Sequence, residues 1–429
     1  MNERLKEMYR SLVARRAHAW LLYVTVATIL LVSIGGVVSS TTLGLLIVLG
    51  LLTLGVDRSM REILLEAEGL RSLAILLACA LLWQGLGIIL RSPPDLGAIS
   101  DLGSALAIAM LLPVLIAAMQ FDTEFRDRLL MALFVSGCVA AFLSIGRHLI
   151  VLGSSSQLSI QGIMKSRLIP IGRASHPILG AGGLAASLFA GLAVYPEASR
   201  RQKWLCVIGL VLIILAIALT QSRGPMVGIG LAVTAVGILG LFRAPMSRTR
   251  AALVMALLCF AIPVGLIVTE PWIKDLACTA QISLCRPSNR QDVWFTVLGL
   301  IQERPWFGIG PAFRFPGNTV PHPHNGLLGV VFYFGLPMAM LFIGIIAFVV
   351  RRAAAAPPSA DRTFALLGIF FSMSFVASDL PNPFAFVNTL YLYLWLPVFI
   401  GATLGYPDLI RIGHEAVRGR SGAPHTSRN

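Results

Sequence analysis

Residues 204–242 read WLCVIGLVLIILAIALTQSRGPMVGIGLAVTAVGILGLF. Two apolar runs, 204–220 and 224–242, are parted only by the tight polar join from Thr220 to Arg223. About 20 apolar residues carry a helix across the hydrocarbon layer of a bilayer, so the stretch reads as two consecutive membrane spans.

Runs of the same kind extend on both sides, at 19–38, 41–56, 72–90, 102–120, 129–152, 176–195, 251–268, 324–350, 363–380 and 387–405. With the first pair they make about twelve spans. The composition agrees: hydrophobic residues are 56%, charged residues 13% and mean hydropathy is +0.81, far from a soluble domain. The expected fold is an all-α integral membrane protein with a large, partly helical periplasmic loop between spans nine and ten. Its segments are a basic cytoplasmic N-terminus (1–18), spans one to nine (19–268), the loop (269–322), spans ten to twelve (323–405) and a polar cytoplasmic tail (406–429). Residues 1–16 are basic and amphipathic and lead straight into a full span without a small-residue cleavage site, unlike a signal peptide.

Orientation follows the basic residues. With the N-terminus cytoplasmic, every inside segment is basic: Arg4, Lys6 and Arg10; Arg58 and Arg61; Arg126 and Arg128; Arg200, Arg201 and Lys203; Arg243, Arg248 and Arg250; Arg351, Arg352 and Arg362; and the tail. The net charge of +14 and pI near 10.2 are therefore a topology signal that also meets anionic lipid headgroups, and nucleic acid is not an expected partner.

The exceptions point to a site. Lys165, Arg167 and Arg173 lie between spans five and six, Arg223 opens the eighth, and Lys274, Arg286, Arg290, Arg304 and Arg314 lie in the long loop, all on the outer side. Outer cations oppose the insertion bias, and an anionic ligand is the simplest compensation. Pro321-His322-Pro323-His324-Asn325 stands at the mouth of the tenth span, where ionisable groups read as functional by default. Cys79, Cys138, Cys206 and Cys259 fall inside spans as small core residues, whereas Cys278 and Cys285 share the loop and are expected to bridge in an oxidising compartment.

Ser222-Arg223-Gly224, Ser288-Asn289-Arg290 with Trp294, Glu303-Arg304-Pro305 through Gly308 and Gly310, and His322 to Asn325 with Leu328 follow in an order that resembles the O-antigen ligase and polymerase superfamily of bacterial membrane glycosyltransferases. The motifs span about residues 215–335. The resemblance implies a GT-C-like bundle in the bacterial inner membrane with its active site facing the periplasm. It implies transfer of a glycan from undecaprenyl pyrophosphate to the sugar of a lipid A-core acceptor, with no nucleotide sugar, cofactor or metal.

Elementary chemistry asks for the same parts. A leaving diphosphate is stabilised by arginine through forked, charge-assisted hydrogen bonds, which nominates Arg223 and Arg290. Arg223 stands just before Gly224 and Pro225 at a helix start, where free N–H groups also favour phosphate; its alternative reading is an interfacial arginine reaching headgroups. His324 is the candidate base for the acceptor hydroxyl, with His322 as rival and a helix-capping histidine as the alternative. Lys165, Arg167, Arg173, Arg286, His322, Asn325 and Asp379 are candidate substrate contacts, while His148 and His176 read as structural. Gly224 and Gly228 form a small-xxx-small pair suited to helix packing.

Paired glycosidase carboxylates are hard to assemble from Glu270, Asp275, Asp292 and Glu303, and no Walker loop, CxxC or His-rich cluster occurs. An O-antigen polymerase with a glycan acceptor is the nearest alternative, then a protein oligosaccharyltransferase. From another class, a lipid-linked glycan flippase or anion transporter also wants cationic patches; few intramembrane charges and no evident inverted repeat speak against it.

Overall fold

The computed structural model describes residues 40–56, 58–90, 98–121, 124–155, 159, 162–163, 166–171, 176–272, 290–313, 315, 322–380, 382–384 and 391–405. Among these residues the regular structure is all helical, with no strand. In order come α1 (Ser40–Val56), α2 (Arg58–Glu66), α3 (Glu68–Leu90), α4 (Ile99–Phe121), α5 (Phe125–Ser154), α6 (Pro177–Val194) and α7 (Arg200–Leu219). They are followed by α8 (Arg223–Leu239), α9 (Pro245–Val268), α10 (Arg290–Glu303), α11 (Gly326–Phe334), α12 (Leu336–Ala355), α13 (Ala360–Ser378) and, after a π-helical turn at Tyr391–Trp395, α14 (Leu396–Thr403).

Eight of these helices are long and apolar enough to cross a membrane, and shorter apolar helices lie at Leu46–Gly55, Arg223–Leu239 and Leu392–Thr403. The expected first span, 19–38, lies outside the described residues, as do residues 273–289, 314 and 316–321 of the expected loop.

One expected span is two helices. The run 324–350 breaks at Gly335, whose φ of 87° belongs to the left-handed region, and Pro337 then opens α12. A Cβ at Gly335 would sit 1.8 Å from the Trp306 carbonyl oxygen, so only glycine lets the loop close on the break. The broken backbone finds partners there: Leu336 N–H donates to the Pro305 carbonyl (2.8 Å), Ile309 N–H to the Phe332 carbonyl (2.8 Å) and Trp83 Nε1 to the Phe334 carbonyl (2.9 Å). Within a membrane such satisfaction is obligatory, and the Arg304–Phe313 segment supplies it.

The centre of the bundle is α13. Its sequence is apolar on all sides, and every residue from Phe364 to Ser378 is buried, the mark of a helix surrounded by others. It packs against α8 and α9 most extensively, and also against α6, α11, α12 and α14. The Gly224/Gly228 pair does serve packing: a Cβ at Gly228 would lie 3.1 Å from the Phe371 ring, so glycine brings α8 close to α13.

The two ends of the bundle differ. At one end Arg126 Nε pairs with Asp361 at 3.0 Å, Arg362 donates to the Ala353 carbonyl and Arg352 to the Leu404 carbonyl. This is the end the basic pattern assigns to the cytoplasm. The other end holds the starts of α6, α8, α10 and α11 around the last turn of α13.

Candidate functional site

Asp379 caps α13 and is buried, with its side chain only 2% exposed. A buried carboxylate must be paired and hydrogen-bonded, and both of its oxygens are. Arg290 Nη2 contacts Oδ1 at 2.5 Å, and the Ser378 hydroxyl donates to Oδ2 at 2.7 Å. Arg290 is the first residue of α10, held there because Gln291 Nε2 donates to the Ile267 and Val268 carbonyls at the end of α9. Gly224, in the first turn of α8, lies so close that a Cβ would sit 1.9 Å from Asp379 Oδ2. Arg223 precedes it, 40% exposed, with Nη1 3.9 Å from Glu270 Oε1. The two arginines singled out from the sequence therefore flank one buried aspartate, and the starts of two helices converge on it.

Arg167 buttresses the join before α8. Its Nε donates to the Thr220 carbonyl (3.0 Å) and its Nη2 to the Ser222 hydroxyl (3.1 Å), while Leu168 N–H donates to the Leu219 carbonyl (2.9 Å). Lys165, Arg173 and Arg286, with the Cys278 and Cys285 pair, lie outside the described residues.

The histidine segment is fixed from both sides. Trp294 Nε1 on α10 donates to the Pro323 carbonyl (2.9 Å). Asn325 caps α11 by accepting the Leu328 N–H (2.9 Å), and its Nδ2 donates to the Ala377 carbonyl on α13 (3.1 Å). The Asn325 side chain is thus engaged at both ends as cap and clamp. Between these anchors His324 has φ 54°, and Gln221, two residues before Arg223, has φ 51°. Among the described residues these are the two non-glycine positions with positive φ. For L residues that region costs roughly 1 kcal/mol or more and persists where the surroundings over-determine it. Both outliers stand immediately before helices that open onto the same site.

The His322 and His324 rings lie 4.0 Å apart between centroids. The His324 backbone N–H donates to His322 Nδ1 (3.2 Å), which puts the proton of neutral His322 on Nε2. Among the described residues the His324 ring has no hydrogen bond, so its nitrogens are open to a ligand. Burial, then the charges of Arg290 and His176, bring the His324 pKa down to about 4. Burial and His324 bring His322 to about 3, against an opposing pull from Asp379. Both rings are therefore neutral at neutral pH, chiefly because burial disfavours the imidazolium.

His176 is the residue that sequence reasoning left aside. It is the N-cap of α6 without a capping hydrogen bond, and it lies in the fields of Arg167, Asp379, His322 and His324. Partial burial and Arg167 lower its pKa, while Asp379 raises it. Nothing in its neighbourhood, Ser175-His176-Pro177, signals that 203 residues later an aspartate shares its surroundings.

The arrangement offers guanidinium groups, the positive ends of helix starts and neutral imidazoles around one end of the bundle. That set suits an anion bearing phosphate beside a hydroxyl that must lose a proton. Residues 208–343, about a third of the chain, match the family model described as O-antigen ligase. The match contains Arg223, Arg290, His322, His324 and Asn325, and it supports an O-antigen ligase family assignment. His176 and Asp379 lie outside it. Among curated proteins, none matches the chain.

Proposed function

We propose that the chain is a glycosyltransferase of the O-antigen ligase type, acting from the periplasmic face of the bacterial inner membrane. Its donor is a glycan linked to undecaprenyl pyrophosphate, and its acceptor is a sugar of the lipid A core. The observation that carries this reading is the convergence of Arg223, Arg290 and the strained, neutral His324 on one end of α13.

In this reading the acceptor hydroxyl oxygen attacks the anomeric carbon of the glycan. The bond from that carbon to the diphosphate oxygen breaks, and its electron pair leaves on the diphosphate. Arg223 and Arg290 receive the growing charge in forked hydrogen bonds, with the positive dipole end of α8 beside them. The hydroxyl proton passes to a ring nitrogen of His324. At a pKa of about 4 His324 is a weak base in the resting site, but negative charge building on the adjacent diphosphate stabilises its imidazolium as the proton arrives. Asp379 keeps Arg290 oriented and offsets part of the positive charge before substrate binds.

The arginines occupy the role that divalent cations fill in other transferases, so the activity is expected to survive EDTA and to weaken as salt screens the phosphate contacts. The test is to incubate purified protein with lipid-pyrophosphate-linked glycan and rough lipopolysaccharide and resolve the products by size. A ladder of extended lipopolysaccharide supports the ligase reading. Lengthened glycan still on the donor lipid, with the acceptor untouched, would make it a polymerase.

A further inference from the structure

An apolar groove of about 260 Å³ runs along the bundle between α9, α11, α12 and α13. Phe342, Ile346 and Val350 line it on α12, and Met373 and Val376 on α13, with almost no polar surface. Leu257 and Ile343 on its rim are exposed, so it opens to the side, where lipid lies in a membrane. Its two ends are unlike. One reaches Leu327, just inside the histidine segment. At the other, Val350 is followed by Arg351 and Arg352, and the first turns of α9 and α13 carry Arg248 and Arg362.

Arg362 lies on the groove side of α13, since it is about three turns before Met373 and about four before Val376. Its Nε donates to the Ala353 carbonyl at the end of α12 (3.2 Å), which ties it to the groove's basic end. Arg248 lies within its electrostatic reach, and the buried Nε of Arg248 has no hydrogen-bond partner among the described residues. The neighbouring acid, Asp361, pairs with Arg126 instead. Two close arginines with a buried donor left over call for an anion, and the groove beside them calls for a hydrocarbon chain.

We propose that this groove holds an anionic phospholipid of the leaflet at the basic end, its phosphodiester between Arg248 and Arg362 and one acyl chain running along α12 towards Leu327. The site is separate from the glycan centre and uses none of its residues.

The test is native mass spectrometry of the delipidated full-length protein with phosphatidylglycerol or with phosphatidylcholine of the same chains. Wild type is expected to retain phosphatidylglycerol preferentially. The double variant Arg248→Gln, Arg362→Gln should weaken it by about 30-fold, two basic contacts' worth, and leave phosphatidylcholine unchanged. Ala347→Phe, which fills the groove without touching a charge, should weaken both lipids and serves if the arginine variant fails to fold. Equal retention of the two lipids by wild type, or wild-type retention of phosphatidylglycerol by the double variant, would overturn the proposal. So would displacement of phosphatidylglycerol by undecaprenyl phosphate to the same extent from wild type and double variant, since the groove would then belong to a polyprenyl chain.

Discussion

Helix α13 carries an aspartate at each end, and each aspartate holds an arginine from another helix. At the basic end Asp361 meets Arg126 at 3.0 Å, Arg126 is a third exposed, and Asp361 Oδ1 is left without a hydrogen bond among the described residues. At the opposite end Asp379 meets Arg290 at 2.5 Å, its second oxygen is bonded to Ser378, and a glycine backbone presses against it. The first pair sits among many cations that serve orientation in the membrane. The second sits among few, yet it is flanked by two strained non-glycine residues and by neutral buried histidines. Counting charges points to the basic end; the degree to which each charge is held points to the Asp379 end, where the proposed chemistry lies.

The largest way to break this contrast is His324→Ala. Loss of the base is expected to lower glycan transfer by about 10² to 10⁴ while the protein still inserts and binds donor. Near-normal turnover would shift the role to His322 or His176.

Next come the arginines. Arg223→Ala and Arg290→Ala should each lower transfer by about 10² to 10³, with lysine restoring only part, because charge returns without the fork. Arg290→Ala also strands a buried carboxylate, at a cost of about 3 to 5 kcal/mol in thermal unfolding. Adding Asp379→Asn should recover the stability and not the rate.

Gly224→Ala sharpens the packing half of the contrast. Its new methyl meets the Asp379 carboxylate, and a loss of about 1 to 3 kcal/mol is expected with a fall in transfer. Gly230, with open space at its Cβ, should accept alanine without loss.

Much of this was legible in the chain. The runs of spans three to seven, nine and eleven show as long apolar helices, and those of spans two, eight and twelve as shorter ones, because a membrane demands length and hydrophobicity, both local properties. Arg223, Arg290 and His324 stood out because outer cations and mouth histidines work against insertion. The break at Gly335 was not legible, since its cause is a loop about 30 residues earlier closing on it. The place of His176 was hidden for the same reason: besides nearby Arg167, the groups in whose fields it lies, His322, His324 and Asp379, come from far along the chain, and no local pattern reports such proximity.

The smallest expected effect on transfer is that of pH near neutrality. His324 and His322 titrate in the fold near 4 and 3 rather than 6.5, so below about pH 6.5 the unfolded chain binds more protons than the folded one. Stability should therefore fall as pH drops from about 6.5 towards 4, and transfer should be flat near neutrality and decline only as His324 protonates near pH 4. A decline centred at pH 6.5 would show histidines that are solvated, not buried.

The central claim is that the chemistry resides at the Asp379 end of α13. It is tested most directly by measuring transfer from lipid-pyrophosphate-linked glycan to rough lipopolysaccharide in two paired variants, reconstituted alike. Arg126→Ala with Asp361→Asn is expected to retain the wild-type rate per folded molecule, and Arg290→Ala with Asp379→Asn to lose about 10² or more. Equal losses in both, or retention in the second, would contradict the account.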